Sequence, residues 1–132
     1  MSDQSLLVRG NGAERGLTLD LRPEDAGWEY IGFSMLRLPA GDAWEGDTGE
    51  REVALVNIGG VAQVTAGGQT WEVGGRATPF DGPPHCLYLP DGSDWKAVAE
   101  TDCVFAVCSA PGKGAFLLFE TATLVTANPR IL

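Results

Sequence analysis

The sequence predicts an all-β domain, a small antiparallel barrel with very little helix, and three observations lead to this prediction. Short apolar or alternating segments recur about every ten residues, which is the spacing of strands in sandwiches and barrels. The 18 glycines and 8 prolines fall largely between these segments and mark turns. No stretch carries a sustained apolar stripe of period 3.6, so long helices are not favoured.

Few regular elements are predicted in the first third of the chain. Residues 1–16 are polar and support an arm or a first edge strand. The predicted elements that follow are a strand at Leu17–Leu21, one helical turn at Arg22–Gly27, and a long strand at Trp28–Leu38 with a bend at Gly32. The segment Pro39–Glu52 is rich in acids and small turn residues, which predicts a long surface loop.

The central stretch, REVALVNIGGVAQVTAG at residues 51–67, organises the prediction. Both faces of its first half are mostly apolar, so this strand should be buried from both sides. The pair Gly59-Gly60 permits positive φ and predicts a tight hairpin turn between two strands.

The second half of the chain predicts further short strands. A second glycine turn is expected at Gly67-Gly68, and a proline-bounded loop at Thr78–Pro84. The strands are expected at Gln69–Val73, His85–Leu89, Trp95–Ala99 and Cys103–Ser109. Residues 111–132 leave three alternatives open: one more strand, a helical turn, or a tail that packs on the outside or on a neighbour.

Composition and charge exclude some functions. The chain has 18 acidic and 9 basic residues and a formal charge of −9, which disfavours nucleic acid as a partner. The first residues show neither a signal peptide nor a membrane span, so we expect a cytoplasmic protein with no membrane partner. The three cysteines, in no metal-like spacing, predict reduced thiols.

Few residues could carry chemistry. No nucleophile elbow, P-loop or dinucleotide-binding glycine motif occurs in the sequence. A metal site would have to combine the single histidine, His85, with Glu52, Asp47 or Cys86, so we predict no metal.

Four residues are candidate substrate-binding groups: Arg37, Arg51, Glu52 and His85. The two arginines could bind the carboxylate of a sugar acid with the planar guanidinium fork, or could pair with neighbouring acids. Catalytic residues stay unassigned.

Four segments carry a resemblance to a known family. They are PEDAGWEYIGF at Pro23–Phe33, TGEREVALVNIGG at Thr48–Gly60, PFDGPPHCLYLP at 79–90 and AVCSAPGKG at 106–114. Together they resemble the first half of the 5-deoxy-glucuronate isomerases of myo-inositol catabolism. These are two-cupin proteins related to 5-keto-4-deoxyuronate isomerase.

The resemblance implies a cupin, an antiparallel jelly-roll barrel, at residues 17–114. It leaves 1–16 as an arm and 115–132 as a tail or a linker to an absent second cupin. In the general cupin metal motif, Gly41 can begin the pattern and Glu52 and Gly59 can end it, but Asp47 and Gly49 hold the histidine places. Of the second cupin metal motif, only one position has a possible counterpart in this sequence, which is His85.

The implied reaction is aldose-ketose isomerisation of 5-deoxy-glucuronate to 2-deoxy-5-keto-gluconate. The resemblance places the divalent metal in the second cupin and implies that this chain holds no cofactor and does not catalyse the reaction alone. Its implied partners are a second cupin or a homo-oligomer. The alternative is a stand-alone sugar-acid binding or assembly module without metal.

Overall fold

A computed structural model describes residues 12, 15–26, 30–76, 80, 82–112 and 121–126. These residues form strands and a single short helical turn. The elements are β1 (Gly16–Leu21), α1 (Pro23–Ala26), β2 (Gly32–Leu38), β3 (Ala43–Asp47), β4 (Arg51–Ala66), β5 (Gln69–Arg76), β6 (His85–Leu89), β7 (Asp94–Ala99), β8 (Cys103–Pro111) and β9 (Thr123–Thr126).

The strands form two antiparallel sheets that share β4. The large sheet has the order β1-β2-β8-β4-β6-β9, and the small sheet has the order β3-β7-β4-β5. The first half of β4 pairs with β8 and β6, and its second half pairs with β7 and β5. The all-β prediction is therefore confirmed, although the described strands do not close into a complete ring.

The core lies between the two sheets. Its fully buried side chains come from both and include Leu36, Leu38, Leu55, Val64, Val73, Leu87, Leu89 and Phe105. On β4 the residues Val53, Leu55 and Asn57 are buried, so odd-numbered residues of its first half point into the core. The even-numbered Ala54 and Val56 are half-buried on the opposite face, which we call the outer face of the large sheet.

The predicted hairpin at Gly59-Gly60 is wrong, because β4 runs without reversal from Arg51 to Ala66. Its register shifts on both sides of the glycine pair, which marks a bulge where the strand passes from one sheet to the other. Gly60 has φ of 81°, and a Cβ there would overlap the carbonyl oxygen of Asp102. The side-chain amide of Asn57 donates to the carbonyls of Gly59 and Gly60 at 3.4 and 3.2 Å.

Other predicted elements agree with the structure in part. The turn at Gly67-Gly68 joins β4 to β5, and the predicted strand at His85–Leu89 is β6. The predicted loop at Pro39–Glu52 is wrong in its middle, where β3 pairs with β7. In β3 the exposed acidic residues alternate with partly buried ones. This alternation is the pattern of a strand, and the prediction of a loop considered only the polarity of the segment.

Some predictions fall partly outside the described residues. These are most of the arm at 1–16, the start of the strand predicted from Trp28, part of the loop at 78–84, and residues 113–120 and 127–132 of the tail. Within the tail, β9 pairs with β6, so one of the three alternatives, a further strand, is present there. No helix of the described part is long and apolar enough to cross a membrane.

All three cysteines are free thiols. Burial, helped by the neighbouring Asp102 carboxylate, raises the pKa of Cys103 to about 11. Burial also raises the pKa of Cys86 and of Cys108. The thiols therefore stay protonated at neutral pH and pack as small apolar groups.

Candidate functional site

A polar cavity of about 250 Å³ opens where the large sheet meets α1, and Arg51 lies on its wall. Arg51 is the first residue of β4 and is odd-numbered, like the residues of that strand that point into the core. Its guanidinium therefore lies at the end of the barrel and not on the outer face. The Arg51 Nε–H donates to Ser109 Oγ at 3.0 Å, and Nη2 donates to the carbonyl of Tyr30. Two bonds from one guanidinium fix its plane.

Strand register brings Arg51 and Ser109 against β2. Gly32 pairs with Ser109 across the β2–β8 ladder. A Cβ on Gly32 would lie 2.6 Å from Ser109 Oγ and 3.6 Å from Arg51 Nη2. The lack of a side chain at Gly32 therefore makes room for both groups.

The opposite wall of the cavity carries acids and a further arginine. Ser34 Oγ donates to Asp20 Oδ1 at 2.7 Å, across the β1–β2 pair. Arg22 and Glu24 complete this wall at the start of α1. The cavity thus offers two guanidinium groups, two hydroxyls and two carboxylates, which suits a small ligand that carries both a carboxylate and hydroxyl groups. We name this the Arg51 cavity.

His85 lies at the other end of the barrel. Its Nδ1 accepts a hydrogen bond of 3.1 Å from the Gly74 N–H, so in the neutral ring the proton is on Nε2. His85 and the fully buried Asn57 line a second cavity of about 260 Å³. Arg76 crosses this cavity, donating from Nη1 to the Gly82 carbonyl at 2.7 Å and from Nη2 to the Asn57 carbonyl at 3.0 Å.

Glu52 and Arg37 lie on the outer face of the large sheet. The Glu52 side chain accepts a hydrogen bond of 2.9 Å from the Tyr88 hydroxyl, and Tyr88 is 4% exposed. Arg37 pairs with Val104 in the β2–β8 ladder and is exposed. Neither side chain faces the barrel interior.

The four predicted substrate-binding residues therefore do not share one site. Arg51 and His85 both face inward, but β4 separates their ends by about 20 Å at ~3.3 Å per residue. Their individual roles in binding stay predictions.

The residues that accompany Arg51 had no signal in the sequence. Arg22 reaches the cavity from the link between β1 and α1, Ser34 from β2 and Ser109 from β8. Strand register alone brings them together, since Ser109 and Arg51 are 58 residues apart in the chain. Asn57 and Arg76 also had no signal in the sequence that would place them beside His85.

The described residues do not fit a metal ion. They contain no group of three or more His, Cys, Asp or Glu side chains placed to surround one. Glu52, which ends the cupin motif in the sequence, points outward, and Asp47 is exposed on the small sheet. His85 already uses one ring nitrogen as an acceptor for the Gly74 N–H.

Comparisons with known proteins identify relatives over most of the chain. The protein-family model described as the KduI/IolB family matches residues 6–127. A protein named 5-deoxy-glucuronate isomerase from Geobacillus thermodenitrificans is 37% identical over 105 residues, which are 78% of this chain and 38% of that protein. The chain thus spans well under half the length of this relative.

Solved structures agree with the sequence comparisons. The crystal structure of an IolB-like protein from Salmonella typhimurium matches with a TM-score of 0.82 and 38% identity, over 91% of this chain and 44% of that chain. A cupin protein from Bacteroides fragilis matches with a TM-score of 0.58 and 16% identity, over 90% of this chain and 92% of that chain. The second likeness shows the fold alone, and with it the predicted cupin fold is confirmed.

Proposed function

The chain belongs to the KduI/IolB family, and from that premise we propose that it is the amino-terminal cupin half, or a shortened relative, of a 5-deoxy-glucuronate isomerase. In this role it acts in sugar-acid catabolism in the cytoplasm. It supplies a folded cupin to the enzyme and does not catalyse the isomerisation alone.

One observation carries the proposal. This chain belongs to the family, but its described residues do not place a base and an electrophile together in one catalytic site. Aldose-ketose isomerisation needs a base for the carbon-bound proton and an electrophile for the carbonyl. A divalent metal would supply the electrophile where a site exists. Glu52 and His85, two residues predicted from the sequence that could act as a base, lie on different faces and towards different ends of the large sheet.

The test is an isomerase assay on the purified chain. Conversion of 5-deoxy-glucuronate is followed by proton NMR with and without added zinc or manganese ions. We expect no conversion above the protein-free sample. The full-length isomerase of Geobacillus thermodenitrificans, treated identically, is the positive control. Conversion by this chain alone would show that it is a complete enzyme and would overturn the proposal.

A second candidate function is binding of a sugar acid in the Arg51 cavity. The convergence of Arg22 and Arg51 with two serine hydroxyls favours it, because guanidinium groups bind carboxylates and hydroxyls bind sugars. This function needs no metal and no second domain.

A further inference from the structure

The cavity beside His85 has on its wall a buried polar side chain with an unused hydrogen-bond acceptor. Asn57 lines this cavity and is 0% exposed, and its Oδ1 accepts no hydrogen bond from the described residues. The orientation of the amide is fixed, because Nδ2 donates to the carbonyls of Gly59 and Gly60. Exchanging the two amide atoms would set Oδ1 against two carbonyl oxygens. An unpaired buried acceptor costs free energy, and folded proteins rarely retain one.

His85 is the cross-strand neighbour of Asn57. The ladder between β4 and β6 pairs Val56 with Cys86, and its next step places Asn57 opposite His85. The Cβ atoms of directly opposite residues lie about 4.5–5.5 Å apart. His85 Nδ1 accepts from the Gly74 N–H, so the proton of the neutral ring is on Nε2. The pair therefore offers one acceptor, Asn57 Oδ1, and one donor, His85 Nε2–H, at neighbouring positions of one cavity.

The rest of the described wall consists mainly of glycine and one cation. Gly74, Gly75, Gly82 and Arg76 line the cavity of about 260 Å³. A Cβ at Gly75 or Gly82 would meet no atom within 4 Å, so these positions leave room beside the polar pair. Arg76 supplies the one permanent charge among the lining residues that the structure describes. The carbonyls of Gly82 and Asn57 hold its guanidinium in place.

We propose that this cavity binds a small α-hydroxy carboxylate. The hydroxyl group of such a ligand can donate to Asn57 Oδ1 and accept from His85 Nε2–H at the same time, which satisfies both neighbouring groups. Its carboxylate, on the adjacent carbon, then lies beside the Arg76 guanidinium, where charge-assisted hydrogen bonding is favourable. The cavity is near the lower end of the usual size range of ligand sites, about 300 Å³, which favours a compact acid.

This site is separate from the Arg51 cavity. The two lie towards opposite ends of the first half of β4, and they share no lining residue. The wall of the Arg51 cavity carries two carboxylates and two hydroxyls that suit the several hydroxyl groups of a sugar. The described wall beside His85 carries neither group, and its one acceptor and one donor suit a single hydroxyl. The inference does not depend on the isomerase proposal.

Titration of the isotopically labelled chain with lactate, followed by nuclear magnetic resonance, tests the proposal. We expect the resonances of the Asn57 side-chain amide and of the His85 ring to shift together, with a dissociation constant of about 5 mM or below. Propionate lacks only the hydroxyl group and leaves Asn57 Oδ1 unpaired, so it should bind at least about tenfold more weakly. Propylene glycol keeps that hydroxyl group but replaces the carboxylate with a neutral group, and it should also bind at least about tenfold more weakly.

Two substitutions of His85 separate the roles of its two nitrogens. His85→Asn keeps an acceptor near the place of Nδ1 for the Gly74 N–H but removes the donor at Nε2. It should raise the dissociation constant of lactate at least about fivefold. His85→Gln instead keeps an N–H near the place of Nε2 and should bind lactate more tightly than His85→Asn. Circular dichroism verifies that both variants are folded.

The proposal is overturned if the Asn57 and His85 resonances of the wild type do not respond to lactate, which is the result expected of a cavity that holds only water. It is also overturned if propionate or propylene glycol binds as tightly as lactate. Neither comparison needs a variant, so both decide even where a substitution unfolds the chain. Among the folded variants, binding to His85→Asn that equals or exceeds binding to His85→Gln contradicts the assigned role of Nε2–H.

Discussion

Gly60→Ala is expected to lower the free energy of unfolding by at least about 4 kcal/mol, a large share of the stability of an ordinary domain. Two effects add at this position. The φ of 81° costs an L-residue about 1–2 kcal/mol. The new Cβ would also overlap the Asp102 carbonyl and lie 2.7 Å from Cys103 Cα, and neither backbone atom can rotate away. Urea denaturation followed by circular dichroism measures the change.

Gly67→Ala is the matched control. Gly67 also has positive φ, at 58°, but a Cβ there meets no atom within 4 Å. This variant should lose about 1 kcal/mol, from backbone strain alone. Losses of similar size in the two variants would contradict the account, because they would mean that the bulge in β4 tolerates a side chain and does not require the close approach of β8.

Arg51→Met should weaken binding of glucuronate in the Arg51 cavity, with the dissociation constant rising at least tenfold. The methionine keeps an unbranched apolar stem but removes the guanidinium that is fixed by Ser109 and Tyr30. A charge-assisted bond to a carboxylate contributes about 1.5–3 kcal/mol, which corresponds to this loss or more. Isothermal titration calorimetry at low salt measures it.

Arg37→Met provides the comparison, since it removes the same charge from an exposed site on the outer face. Binding should be unchanged in this variant. A wild type that shows no heat with glucuronate eliminates the sugar-acid function. Equal weakening by the two substitutions would indicate a general effect of net charge on an acidic protein instead of a specific site.

The sequence predicted strand positions well where apolar and polar residues alternate. The strand predicted at Trp95–Ala99 is present as β7, with alternate residues buried. The paired glycines at 59 and 60 were ambiguous, because positive φ serves a hairpin and a bulge equally well. Close packing of Gly60 on Asp102 and Cys103 favours the bulge, and that contact joins distant parts of the chain.

The sequence predicted one residue of the candidate site but not the residues that surround it. Arg51 stood out by its chemistry, whereas Arg22, Ser34 and Ser109 reach the cavity through the pairing of β1, β2 and β8. Glu52 was misleading for a related reason. Both faces of the first half of β4 are apolar, so alternation could not reveal which face points inward.

A zinc or manganese titration of the metal-free chain, with metal content then measured by mass spectrometry after dialysis, tests most directly whether this cupin has lost the capacity for metal chemistry. We expect well under one tenth of an equivalent of metal per chain, with no difference between the wild type and His85→Ala. One tightly held equivalent in the wild type that disappears in His85→Ala would contradict the account, because it would mean that this barrel builds a metal centre around its one imidazole.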